Sequence, residues 1–312
     1  MRLQLNHRIG VFMSALVLCA TAGAETPAYR DAAGFGDDDT LGAVNHLSNA
    51  GTVRAAGLVR QGKRYSLAVV TSSETPAWGE RKYAMEVVGL PIPGTNKILG
   101  HDDRVITHLG MGTQLDGLGH AGLDGKFYGG LEAGQFATPE GLSRLGTEHI
   151  PPIVTRGVLL DVAGHLDVER LGPTQVIDRA LLEATAKAQD IELRAGDVVL
   201  IHTGWMAIMN EDPATYISTQ PGIDTSAATY LAELGAVAIG SDTSALEVQP
   251  STDPAHIVPV HGVLLANYGV YILENIVTEE LAADRAWEFL FVLGQPRLAG
   301  SVQAIIHPVA IR

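Results

Sequence analysis

The segment Gly110-Met111-Gly112-Thr113-Gln114-Leu115-Asp116-Gly117-Leu118-Gly119-His120 sets a carboxylate and an imidazole four residues apart among glycines. The intervening Gly-Leu-Gly lets the backbone fold tightly enough for Asp116 and His120 to face one point. A carboxylate oxygen and a neutral imidazole are both suitable ligands for a divalent first-row metal, but two ligands do not make a site. A second cluster follows much later in the chain. His261 opens an apolar, helix-like turn, Asn267-Tyr268-Gly269 breaks it, and a strand then delivers Glu274 directly after Tyr271-Ile272-Leu273. A carboxylate placed there is buried or at a strand end and needs a partner, either a bound cation or an arginine.

Short runs rich in Val, Ile and Leu must carry these residues. Such runs read as buried strands at 65–70, 104–108, 157–162, 198–202, 236–240, 270–273, 289–293 and 304–306. Helical patterns lie between some of them. Thr174 is a plausible N-cap for a helix reaching about Ala188, and Asp224 or Thr225 for one reaching about Leu234, where Gly235 supplies a stop. Strands and helices mix without the regular alternation of a doubly wound sheet, so the fold class is mixed α/β and β-rich. Several strands end in polar, turn-prone residues, as in Leu159-Leu160-Asp161, Ile201-His202-Thr203-Gly204 and Gly240-Ser241-Asp242-Thr243. Side chains at strand ends can converge on a cleft, or they can simply satisfy backbone groups.

The bulk numbers exclude several classes. The 312-residue chain carries a net charge of −14, and that surface repels phosphate backbones, so nucleic acid is not an expected partner. Its N-terminus places Arg2 and Arg8 before an apolar run from Ile9 to about Ala20 and then Ala22-Gly23-Ala24, which reads as a signal peptide over 1–24 and implies a periplasmic or secreted protein. Nothing later resembles a membrane span. The sole cysteine, Cys19, leaves with that signal, so any metal must be held by His, Asp, Glu, Gln or water. Residues 25–312 contain no linker, repeat or charge block and read as one domain. The chain has no Gly-x-Ser-x-Gly elbow, no His-Glu-x-x-His and no phosphate loop.

Four blocks, in order, resemble the metal-dependent cyclase family that contains bacterial kynurenine formamidase and isatin hydrolase: Phe35 to Leu47, Gly157 to Val162, Gly196 to Trp205, and His261 to Asn275. The resemblance implies a β-rich swivelling β/β/α-type domain with a barrel-like central sheet, outer helices and self-association into homo-oligomers. The family hallmark, His-x-Gly-Thr-His-x-Asp-x-x-x-His, falls on this chain with Gly110 and Gln114 at its first two histidine positions. The resemblance therefore implies one divalent ion, not two, held by Asp116, His261 and Glu274. Gln114 would offer a weaker amide oxygen, a hard donor that favours manganese over zinc. His120 is then the expected general base, since imidazole titrates near neutral pH. His108, on the same strand face as Gly110, would either replace part of the missing imidazole or bond to the backbone.

The expected reaction is hydrolysis of a C–N bond in a small aromatic or cyclic amide, formamide or lactam, with Trp78, Phe127, Tyr128 and Trp205 either walling the pocket or filling the core. Lactone or ester hydrolysis, a lyase reaction at the same ion, and an inactive periplasmic binding protein are the rival readings.

Overall fold

A computed structural model describes residues 28–36, 38–94 and 96–312. The expected signal peptide over 1–24, and Cys19 with it, lie outside the described residues. Among the described residues no helix is long and apolar enough to cross a membrane.

The framework is a nine-stranded, curled half-barrel sheet with helices around it. Its strands are β1 (Arg64–Ser66), β4 (Gln114–Asp116), β5 (Ile153–Asp161), β6 (Val198–His202), β7 (Ala238–Ser241), β8 (Tyr271–Glu274), β9 (Glu288–Leu293), β10 (Gln303–Ile305) and β11 (Val309–Ile311). They lie side by side in the order β1-β11-β9-β5-β6-β7-β8-β4-β10. The four central strands β5 to β8 run parallel, and every other pairing is antiparallel. Parallel strands are covered on both faces, and β6, β7 and β8 are accordingly almost continuously apolar and buried.

The apolar runs locate most of these strands within a residue or two. The run at 65–70 yields only the three residues of β1, and the helix expected from Thr174 starts later. Thr174 has φ +64°, a short strand follows at Val176–Ile177, and helix α2 (Arg179–Ala188) is capped by Asp178, whose carboxylate accepts from Leu181 N. Helix α3 (Thr225–Glu233) has Asp224 as its N-cap and ends before Gly235, whose φ of +82° few other residues tolerate.

The run at 104–108 is also different in kind. It belongs to β3 (Leu99–Thr107), which pairs with β2 (Tyr83–Pro91) in a long hairpin outside the main sheet. Met85, Val87, Leu99 and Ile106 on that hairpin are more than half exposed. Two adjacent apolar residues, Val105 and Ile106, do not tell a buried strand from an exposed hairpin.

Candidate metal centre

Three loci converge at one end of the sheet. Strand β4 carries Gln114 and Asp116, β8 carries Glu274, and β10 carries Gln303. In register, Gln114 lies opposite Glu274, and Asp116 lies between Ile272 and Gln303. His261 arrives from a separate element, the short helical turn Pro259–His261 that runs on into a π-helical segment, Gly262–Tyr268. Gly269, at φ +65°, ends that segment, and the chain turns into β8.

Local bonds fix β4 in place. Thr113 Oγ1 accepts from Val69 N at 2.9 Å and donates to Asn275 O at 2.6 Å, while Asn275 Nδ2 donates to Gly112 O at 2.8 Å. Gly112 sits at φ +63°, where an added Cβ would lie 2.2 Å from Thr71 Oγ1. Only glycine fits that turn.

One ligand-type atom from each of Asp116, His120 and His261 lies within 4.8 Å of the others. His261 Nε2 is 3.5 Å from Asp116 Oδ2 and 3.3 Å from Glu274 Oε1, and His120 Nε2 is 3.9 Å from Asp116 Oδ2. Asp116, His261 and Glu274 are buried; His120 keeps 23% of its side chain exposed and is the member of the cluster that meets solvent. Asp116 Oδ2 is buried with no hydrogen-bond partner. A buried anionic oxygen without a donor is costly, and it is what a cation would satisfy.

Gln114 and Gln303 surround the other oxygens. Gln114 Nε2 donates to Glu274 Oε2 at 2.6 Å and to Asp116 Oδ1 at 3.3 Å, and Gln303 Nε2 donates to Asp116 Oδ1 at 2.7 Å. With no ion present, both amides turn their nitrogens towards the carboxylates, and Gln114, expected to offer an amide oxygen to an ion, braces the two acids. Gln303 also explains Gly110: a Cβ at position 110 would lie 2.6 Å from Gln303 Oε1. The space beside Gly110 is filled from β10.

Glu247 orients His261. Its Oε1 meets His261 Nδ1 at 2.5 Å and accepts from His261 N, while Oε2 accepts from Val260 N, both at 3.0 Å. A carboxylate on Nδ1 leaves Nε2 as the free, basic nitrogen, the arrangement seen behind many metal-bound histidines.

The titration behaviour follows from these contacts. Burial pushes the Glu274 carboxyl up to about 7, with repulsion from Asp116 adding to it and His261 opposing. Asp116 is equally buried, but His120, His261 and Gln303 together overcome the burial cost and bring it down to about 2. Burial alone would lower His261, yet Asp116, Glu247 and Glu274 surround the ring and raise it well above its ordinary value. His120 is lowered by burial and by the positive charges of His261 and Arg81, with Asp116 opposing, so it is neutral at neutral pH. Arg81 donates through Nη1 to Gly110 O at 2.5 Å, which anchors the guanidinium beside the cluster.

Of the other residues raised by the sequence, His108 is exposed and its Nδ1 accepts from Lys82 N at 2.9 Å, which is the backbone-bonding alternative. Trp205 is buried with Ile208, Met209 and Tyr216. Tyr128 donates to Asp39 Oδ2 at 2.6 Å, Phe127 packs edge-on against Phe136, and Trp78 Nε1 donates to Ser244 O at 3.0 Å. Sequence reasoning missed Gln303, Glu247 and Arg81.

The Cyclase family profile matches residues 65–248, more than half of the chain. The chain belongs to the Cyclase family. Solved structures agree with that membership. A crystal structure of a novel cyclase is 29% identical, covering 89% of this chain and 96% of that one at a TM-score of 0.80. An isatin hydrolase bound to the product analogue thioisatinate is 15% identical and covers 85% of this chain and 98% of its own, with a TM-score of 0.60. A "predicted metal-dependent hydrolase" from Bacillus stearothermophilus is 17% identical, covers 80% and 98%, and superposes at a TM-score of 0.53. At those identities the last two share the Cyclase fold and carry no more than that. No curated protein matches the chain.

Proposed function

We propose that this Cyclase family member is a metal-dependent hydrolase that cleaves a C–N bond in a small aromatic or cyclic amide, formamide or lactam. The observation that carries the reading is the buried, unpartnered Asp116 Oδ2 facing His261 Nε2 in a cluster with Glu274 and His120. Asp116, His261 and Glu274 would hold one divalent ion, and Gln114 and Gln303 take up the remaining carboxylate valences instead of a second ion. Imidazole with two carboxylates suits zinc as well as manganese, and a Gln114 amide oxygen turned to the ion would favour manganese.

When bound, such an ion supplies Lewis acidity for a carbonyl oxygen and acidity for water. The protein's own groups do the rest. Glu247 holds His261 in the tautomer that presents Nε2 to the cluster. His120 Nε2, neutral and partly open to solvent, accepts the proton of the attacking water and passes it to the departing nitrogen. Arg81 places a fixed positive charge beside the reacting centre, where negative charge develops on the carbonyl oxygen.

The neighbouring isatin hydrolase is named for a lactam substrate, and lactams are among the substrates proposed for this chain. Export of the protein after cleavage near Ala24 is proposed from residues 1–24 alone. Self-association is proposed from the exposed apolar hairpin of β2 and β3.

A screen of N-formyl aryl amines, isatin-like lactams and aryl lactones, with manganese or zinc added, tests the reading. Turnover of an amide or lactam that is abolished by a chelator and restored by either ion is the expected result. Turnover of the lactones alone transfers the assignment to ester hydrolysis. Ion-independent turnover, or no turnover in an ion-loaded sample, overturns the proposal.

A further inference from the structure

A cavity of about 920 Å³ opens beyond the carboxyl ends of β6 and β7, and none of Asp116, His120, His261 or Glu274 lines it. Its size is that of a small-molecule pocket. Its apolar wall includes Val69, Met206, Met209 and Ala282. At its polar side stand two residues from the strand ends noted in the sequence, His202 and Asp242. Asp242 is 1% exposed; its Oδ1 accepts from Thr203 N at 3.0 Å and from Thr203 Oγ1 at 2.6 Å, and its Oδ2 is buried with no hydrogen-bond partner.

His202 Nδ1 lies 2.8 Å from Thr278 Oγ1 and 3.5 Å from Asp242 Oδ2. Two oxygens around one ring nitrogen favour the proton on Nδ1, because a bare Nδ1 would set its lone pair against the carboxylate. Nε2 is then an acceptor. Glu74, Glu169 and Glu279 also line the cavity, and the lone arginine there, Arg170, is paired with Glu211 at 3.0 Å. The polar side therefore offers acceptors and negative charge, while the remainder is apolar.

We infer that this cavity is a binding site for a small organic ammonium with an apolar body, whose N–H groups are taken by Asp242 Oδ2 and His202 Nε2. A cation supplies what the buried oxygen lacks, and a neutral or anionic ligand of the same shape does not. The inference is independent of the metal centre.

Isothermal titration of the ion-loaded full-length protein at pH 7 with benzylamine, benzyl alcohol and benzoate tests it. Benzylammonium should bind at least tenfold more tightly than the alcohol, and benzoate should not bind. Asp242→Asn should weaken benzylammonium at least tenfold, and Asp116→Ala should leave it unchanged. Should Asp242→Asn fail to fold, Met206→Lys, which places an ammonium in the cavity from its half-buried wall, should cause the same loss. Equal binding of amine and alcohol, undiminished binding in the Asp242→Asn or Met206→Lys proteins, or loss of binding in Asp116→Ala would each overturn the inference.

Discussion

Gln303 Nε2 donates to Asp116 Oδ1 at 2.7 Å, and the Gln303 side chain fills the space that any side chain at position 110 would need. One residue thus compensates for the missing side chain at 110 and occupies one oxygen of the central carboxylate.

That compensation can be reversed. Gly110→His alone should destabilise the protein by about 1–3 kcal/mol, the usual cost of overpacking, because the new Cβ meets a held side chain. Combined with Gln303→Ala and Gln114→His, the same substitution should regain stability and raise the ion content from one to two per chain. Chemical denaturation and elemental analysis of the single and triple variants check both halves.

Glu247 should act on ion affinity without touching the ion. Glu247→Gln preserves the shape but removes the charge behind His261 Nδ1, and changes of this kind typically cost about 10- to 100-fold in affinity. Competition with a chelator of known strength measures it. Unchanged affinity would mean that Glu247 only satisfies the backbone amides of Val260 and His261.

How much of this was legible in the chain depends on the residue. Asp116 stood out beside His120 among glycines and Glu274 at the end of an apolar run, but grouping them with His261 came from the family resemblance; the fold brings all three to one end of the sheet. The strands β6 to β9 were legible because buried strands are short apolar runs bounded by turn residues. Gln303 and Glu247 were not, because their roles arise from cross-strand register and a loop return, neither of which spacing along one chain encodes. The hairpin of β2 and β3 misled for another reason: the run at 104–108 is apolar only at Val105 and Ile106, and so short a run reads the same in an exposed hairpin as in a buried strand.

The ion-free protein should respond to pH in a defined direction. Glu274 is raised from its ordinary 4.5 to about 7, so its contribution to stability is fully present below pH 4.5 and is lost as pH rises through about 7. Asp116 works the other way only as pH falls from 3.8 towards 2, and His120, lowered from 6.5, opposes Glu274 below pH 6.5; above it, Glu274 and the raised His261 act together. Tm of the chelated protein should therefore fall as pH rises from 6.5 to 7.5. An ion favours the charged carboxylate, so added manganese or zinc should raise Tm more at pH 7.5 than at pH 5.5, with proton release on binding. Differential scanning fluorimetry with and without ion reads this directly, and a pH-independent ion effect would contradict it.

His120 separates two roles. As the proton carrier, His120→Ala should lower kcat by about 100- to 10,000-fold while the ion stays bound at full stoichiometry. If His120 is a ligand, as its place within the Asp116–His261 cluster also allows, ion content falls along with activity. Activity and elemental analysis on one preparation distinguish the two.

The central claim is that Asp116, His261 and Glu274 hold one divalent ion. Its most direct test is the ion content per chain, by inductively coupled plasma mass spectrometry, of the wild-type protein and Asp116→Ala after equilibration with manganese or zinc and removal of free ion. The account predicts one ion per chain in the wild type and none in the variant. A wild type without bound ion, or a variant that keeps its full complement, would contradict it.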